Sequence, residues 1–343
     1  MRSKVIGIAA MLAMAPVGAR AADLVVWWDE GYYTEEDAAV RETIAAFEHE
    51  TGKQVELALH PMEELPDKIA AALEAGRPPD FAFGFWLDGY AEQWAYEDRL
   101  VDLTDTIGHF SDLFDPGQLN RAVLLNATKG EKALYGLPVG QITHLVHVWK
   151  NLLEQAGYTV EDIPREWDAY WSFWCDKVQP AAREATGGDD LWGVGLPMSI
   201  EAADTGNAFG QFQIAYGADY VTPDGRLVID EPGIRQGLVK AIDSYTAIYR
   251  KGCTPPDSMT WPDIGNNKAF LAQSVVMTPN LSLSIPNALK GDRPDDYYEN
   301  TATIEWPLGP SGEPFPIVAA VHFGMAFRDG ATWPRPRSSS DSS

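Results

Sequence analysis

Between residues 23 and 84 the chain alternates short apolar runs with helix-patterned segments, and this most narrows what it can fold into. Asp23-Leu24-Val25-Val26-Trp27-Trp28 is a run suited to a buried strand. Asp37 to Glu50 carries Val40, Ile44 and Phe47 at the spacing of one helix face, and Thr51-Gly52 follows it as a helix end. Gln54 to Leu59 reads as a second strand, and Leu65 to Ala75 as a helix closed by Gly76. Pro79-Asp80-Phe81-Ala82-Phe83-Gly84 reads as a third strand. Strand–helix–strand–helix–strand at this spacing predicts an α/β sheet with covered faces.

With 343 residues the chain is long enough for two domains, and 45% hydrophobic side chains suffice to bury large cores. A formal charge of −24 disfavours nucleic acid and anionic membrane surfaces as partners. Two cysteines make no disulfide scaffold and there is no CxxC to suggest zinc. The N-terminus has a basic head (Arg2, Lys4), an apolar stretch from Val5 to Val17, and Ala19-Arg20-Ala21 as an A-x-A cleavage site. Residues 1–21 therefore read as a secretory signal peptide, too short in its apolar part to span a bilayer. Its removal takes away Arg2, Lys4 and Arg20, leaving a net charge near −27 on a soluble, exported protein.

Several motifs in order carry a family resemblance. Val25-Val26-Trp27-Trp28 is followed by Ala45-Ala46-Phe47-Glu48-His49-Glu50-Thr51-Gly52-Lys53-Gln54-Val55, and Ala75-Gly76-Arg77-Pro78-Pro79-Asp80 precedes the third strand. Leu134-Tyr135-Gly136-Leu137-Pro138-Val139, Trp149-Lys150-Asn151-Leu152-Leu153 and Pro164-Arg165-Glu166-Trp167-Asp168 come next. Asn267-Lys268-Ala269-Phe270-Leu271-Ala272-Gln273 and Val276-Met277-Thr278 complete the series. Over roughly residues 23–330 this order resembles bacterial extracellular solute-binding proteins of family 1, the maltose-binding-protein-like sugar-binding subunits of ABC importers. The resemblance implies a two-lobed periplasmic binding protein fold (type II) with discontinuous lobes and ligand in the cleft between them. By it, lobe one is 22–138 plus 273–317 and lobe two 139–272 plus 318–330. Pro138 and the Pro-rich stretch 307–316 are the punctuation expected where a chain leaves one compact unit for another.

The chain has no H-E-x-x-H, G-x-S-x-G, P-loop or complete G-x-G-x-x-G, so no local motif points to an enzyme or a cofactor. His144 and His147 stand three apart, but Gln141 to Trp149 reads as a strand, where such positions face opposite sides, so no metal is expected. The aromatic pattern says more. Several of the twelve Trp stand where strands end and loops begin, and ligands of open α/β sheets bind beyond the carboxyl ends of strands. Indole packs on the C–H face of a sugar, while amides and carboxylates satisfy its hydroxyls. The candidate ligand-binding residues are Trp28, Asp29, Trp86, Asp88, Gln141, Trp261, Asp263, Asn266 and, by its likeness in position to a family ligand loop, Asn280. Of Trp27 and Trp28, strand neighbours, one faces the core. Trp167, Tyr170, Trp171, Trp174 and Cys175 fall at helical spacing and are expected in a core. Cys175 and Cys253 could pair, although Cys175 on an apolar face reads first as a small core residue.

The expected function is the periplasmic binding component of an ABC importer for a carbohydrate or polyol, a monomer partnered by membrane permease subunits. The rivals are a secreted glycosidase or lyase and a binding protein for a cationic solute such as a polyamine. At the C-terminus the sequence departs from the family. Relatives continue into helices that complete lobe two, whereas Ala331 to Ser343 has two prolines, a serine-rich end and no apolar period. A shift of reading frame near residue 331 is the expectation there.

Overall fold

The computed structural model describes residues 22–222 and 225–332. The expected signal segment 1–21, and 333–343 of the expected tail, lie outside the described residues. The strands among them are β1 (Leu24–Asp29), β2 (Val55–His60), β3 (Phe81–Phe83), β4 (Val123–Asn126), β5 (Glu131–Leu134), β6 (Leu137–Thr143), β7 (Leu145–Trp149), β8 (Trp192–Val194), β9 (Val275–Asn280), β10 (Thr301–Ile304) and β11 (Ala319–Ala326). The chain divides into two compact units, one comprising residues up to Leu137 and from Phe323 onward, the other Pro138–His322. It passes between them twice, at the start of β6 and within β11.

In the first unit β1 pairs in parallel with β2 (Leu24↔Val55) and β3 (Val26↔Phe81), and β11 runs antiparallel to β3 (Gly324↔Phe83). Helix Thr34–Thr51 connects β1 to β2, and helix Leu65–Glu74 connects β2 to β3. Gly52 ends the first helix at φ 68°, its N–H donating to Glu48 O, a left-handed position that glycine takes without Cβ strain. The first helix departs from the expected pattern in one respect. Val40 and Ile44 are half-buried, Phe47 is exposed, and no residue of this helix is fully buried. The second helix buries Leu65 and Ile69 in a core with Leu87, Trp94, Leu100, Tyr135, Met325 and Phe327.

Asp80 is the electrostatic pin of this unit. It is 2% exposed, and its Oδ2 accepts the Val25 N–H at 2.7 Å. Its Oδ1 accepts the Thr332 N–H at 2.9 Å, and the Thr332 hydroxyl lies 3.0 Å from Oδ2. Thr332, in the expected tail, is thereby fastened to the start of β3, and through the same carboxylate to β1. Asp80→Ala strands those donors and is expected to cost about 2–4 kcal/mol. Urea unfolding checks this, and a midpoint equal to that of the parent would remove the role given to Asp80.

In the second unit the sheet order is β10-β7-β9-β8. β7 is antiparallel to β9 (Leu145↔Asn280) and to β10 (Thr301↔Trp149), and β8 is parallel to β9 (Trp192↔Val275). This corrects the sequence-based division of the chain. Residues 273–317, expected in lobe one, carry strands β9 and β10, which bond to β7, whose side chains are mostly buried, so the segment belongs to the second unit. Phe323 onward, assigned to lobe two, instead supplies the β11 residues that pair with β3. Helix Trp167–Ser172 runs on through a wider turn, Phe173–Val178, into Gln179–Thr186. As expected, Trp167, Tyr170, Trp171 and Trp174 enter the core, with Trp149, Phe212, Phe270 and Trp306. Cys175 is not a plain core residue: it forms a disulfide with Cys253 across 78 residues of sequence.

Candidate functional site

The polar residues that converge in the second unit stand at the carboxyl ends of β8 and β9, where a sheet of this class leaves room for a ligand. Asn280 is the last residue of β9 and is 4% exposed. Its Nδ2 donates to Ser282 O at 3.0 Å, which folds the following loop back on the strand. Asn266, fully buried on helix Gly265–Leu271, reaches the same point. Its Nδ2 lies 3.0 Å from Asp204 Oδ2 and 3.2 Å from Asn280 Oδ1. Its Oδ1 is buried without a hydrogen-bond partner. Asp204 opens helix Ala203–Ala215, and its N–H donates to Asp263 Oδ1 at 3.1 Å. Three residues picked from sequence, Asp263, Asn266 and Asn280, are thus joined into one cluster by a fourth, Asp204, that was not.

Removal from water, and after it the negative charge of Asp263, raise the Asp204 carboxyl to about 7, against the opposing hydrogen bonds of Asn266 and Asn207. Near neutral pH this carboxyl can therefore accept a hydrogen bond from a hydroxyl or donate one. Its only sequence signal is an acid in the first turn of a helix, where acids are common for reasons of helix dipole alone.

His147 supports the loop from below. It is fully buried, with Nε2 2.9 Å from Ser282 O and Nδ1 3.0 Å from Thr303 Oγ1. That pairing uses the neutral ring, with Nε2–H donating and Nδ1 accepting from Thr303, and burial lowers its pKa to about 4. His144, between β6 and β7, is buried against Trp306 and lowered to about 3 for the same reason. Among the described residues no group of three or more His, Cys, Asp or Glu could hold a metal.

Trp261 differs from the expectation of an open stacking platform. It is 7% exposed, and Gly265 packs so closely on it that a Cβ there would clash with the Trp261 side chain. Gln141 is exposed on β6. In the first unit two of the candidates accept backbone N–H groups. Asp29, buried at the end of β1, accepts the Phe85 N–H at 2.8 Å, and Asp88 accepts the Phe323 N–H at 3.1 Å. Trp28 packs on Phe83 with ring centroids 4.5 Å apart, while Trp27 leans on the core. Trp86 is half-exposed just beyond β3.

Comparison with known proteins agrees with this architecture. The family described as "Bacterial extracellular solute-binding protein" matches residues 42–336. Among solved structures, an ABC transporter solute-binding protein from Thermotoga lettingae TMO, bound with alpha-D-tagatose, is 21% identical with a TM-score of 0.72, covering 89% of this chain and 72% of that one. Maltose-bound MalE3 from T. maritima is 19% identical with a TM-score of 0.69, covering 89% and 73%. A solute-binding protein from Agrobacterium radiobacter K84 in complex with ribitol is 17% identical with a TM-score of 0.68, covering 89% and 71%. At these identities the likeness is one of fold. No curated protein matches this chain.

Proposed function

Because this chain belongs to the bacterial extracellular solute-binding proteins, we propose that it is the binding component of an ABC importer and that its solute is a carbohydrate or polyol. The observation that carries the reading is the Asp204–Asn266–Asn280–Asp263 cluster, where carboxyl and amide groups gather at the carboxyl ends of two strands. Such groups match the alternating donors and acceptors of a polyhydroxy ligand. Structural neighbours bound to tagatose, maltose and ribitol support the same class. The protein acts by binding and release in this reading, as an exported periplasmic monomer whose partners are permease subunits. Among the described residues no helix is long and apolar enough to cross a membrane.

A thermal-shift screen over tagatose, maltose, laminaribiose and ribitol tests the reading. A solute at 100 times its dissociation constant adds about 2.7 kcal/mol to stability. Product analysis is the decisive control, because a carboxyl raised to about 7 beside a second carboxylate is also a pairing used by glycosidases. Cleavage of any bound sugar would replace this reading with the enzymatic one. A shift with spermidine and with none of the sugars would favour a cationic solute, for which the acids at 204 and 263 would be the reason.

Asp263→Ala is expected to weaken solute binding by about 1–3 kcal/mol with little loss of stability, since Asp263 is only partly buried. Calorimetric titration measures this, and unchanged affinity would take Asp263 out of the site. Trp261→Ala is a poorer probe, because removing so buried an indole leaves a cavity.

A further inference from the structure

The disulfide of the second unit has two unlike ends. Cys253 is 1% exposed and lies in the core with Trp174, Val194 and Ile248. Gly193 of β8 packs on its sulfur, so that a Cβ there would stand 3.4 Å from the Cys253 Sγ. Cys175 is instead half-buried, on the wider helical turn Phe173–Val178. Turns of that kind recur at functional sites. Two separate cavities have Cys175 in their walls. One, of about 480 Å³, is lined also by Gln179, Arg183 and residues 187–189. The other, of about 490 Å³, is lined also by Ser172, Lys240, Ser244 and Lys251. Each has room for a small molecule, and Cys253 lines neither of the two.

We infer that Cys175 is a site of thiol–disulfide exchange, the sulfur at which an external thiolate opens this bond, with Cys253 as the resolving cysteine that closes it again. Exchange proceeds by attack of a thiolate on one sulfur through a mixed disulfide, and access decides which sulfur is attacked. A thiolate entering by either cavity meets the Cys175 Sγ. A bond forms between the two sulfurs as the Cys175–Cys253 bond breaks, and Cys253 leaves as a thiolate that takes up a proton. The core keeps this freed sulfur beside the mixed disulfide. On losing its proton again, Cys253 attacks the Cys175 Sγ and expels the external thiolate, which restores the bond. Full reduction needs a second external thiolate. It attacks the external sulfur of the mixed disulfide, leaves with it as a new disulfide, and frees Cys175. The opposite adduct, on Cys253, requires the core around β8 to open first.

Glutathione tests this on the full chain. The native protein is incubated with it, quenched with acid, unfolded, alkylated and mapped by mass spectrometry. Glutathione is expected on Cys175 in roughly tenfold or greater excess over Cys253, with the alkyl label on Cys253. In concentrated urea, where both sulfurs are open to attack, the excess should vanish. Equal labelling of the two cysteines in the native protein would overturn the inference, because the bond would then open only in the unfolded chain. Where Cys253 closes the bond too fast for an adduct to build up, the single variants Cys253→Ala and Cys175→Ala decide, under conditions where tryptophan fluorescence shows the unit folded. The free Cys175 thiol of the first should react with an aromatic disulfide reagent at least about tenfold faster than the free Cys253 thiol of the second. Equal rates, or a faster Cys253, would again overturn it.

Discussion

Replacing Cys175 and Cys253 together by Ala is expected to destabilise the second unit by about 4 kcal/mol, the largest single effect foreseen for this chain. The bond closes a loop of 78 residues, and the loss of unfolded-state entropy from closing a loop of that length is of this size. The site is also tightly built. Gly193 approaches the Trp174 carbonyl so closely that any Cβ there would clash, and Gln179 bridges the two strands of chain, donating to Gly252 O and accepting from Gly193 N–H. Cys253 is 1% exposed beside these contacts. For a unit of this size about 4 kcal/mol corresponds to a fall in Tm of roughly 8–16 °C. Calorimetry of the double variant reads it directly. Because most of the tryptophan core lies in this unit, fluorescence-monitored urea unfolding with and without dithiothreitol gives an independent measure. A midpoint unmoved by both treatments would mean that the unfolded chain is already compact enough to make the bond redundant.

The parts of the fold legible in the sequence are those fixed by local chemistry. Gly52 and Gly76 mark helix ends because a left-handed residue is needed there, at φ 68° and 63°, and Trp167, Tyr170, Trp171 and Trp174 mark a buried helix face because their spacing allows no other common face. What was misread depends on partners far along the chain. Residues 273–317 have the apolar runs of strands wherever they belong, and only the register of Val148 with Met277 assigns them to the second unit. The disulfide has the same character, since no periodicity in 175 or 253 sets their distance. For the site, the resemblance to a family ligand loop led to Asn280, and a loop with an aromatic led to Asp263 and Asn266. Strand-end position picked Asp29 and Asp88, whose carboxylates accept backbone N–H groups of Phe85 and Phe323, since a carboxylate beyond a strand answers an unpaired amide as readily as a ligand. Asp204 escaped notice because what sets it apart, burial and the charge of Asp263, exists only in three dimensions.

Asp204→Asn is expected to have an effect whose size depends on pH. In the folded chain the carboxyl titrates at about 7, above the 3.8 of an ordinary aspartate, so the folded state holds its proton more tightly than the unfolded state. The associated stabilisation is complete below about pH 4, and it is lost as the pH rises to about 7, beyond which the buried charge must be carried. Asparagine keeps an oxygen for the Asn266 amide and never ionises. The variant should therefore match the parent near pH 4.5 and exceed its stability at pH 8 by about 1–3 kcal/mol, the upper end being set by how far solvent reaches the carboxyl. Urea midpoints at the two pH values decide it, and an equal difference at both would show that Asp204 titrates as an ordinary acid. Solute binding supplies a second reading with the opposite outcome for function. If a solute hydroxyl donates to the ionised carboxylate, bound solute lowers the pKa, and affinity in the parent falls up to tenfold per unit below pH 7. Binding at pH 7 would then release part of a proton, visible as a dependence of the calorimetric enthalpy on buffer ionisation heat, and the Asn variant would bind more weakly, without that dependence.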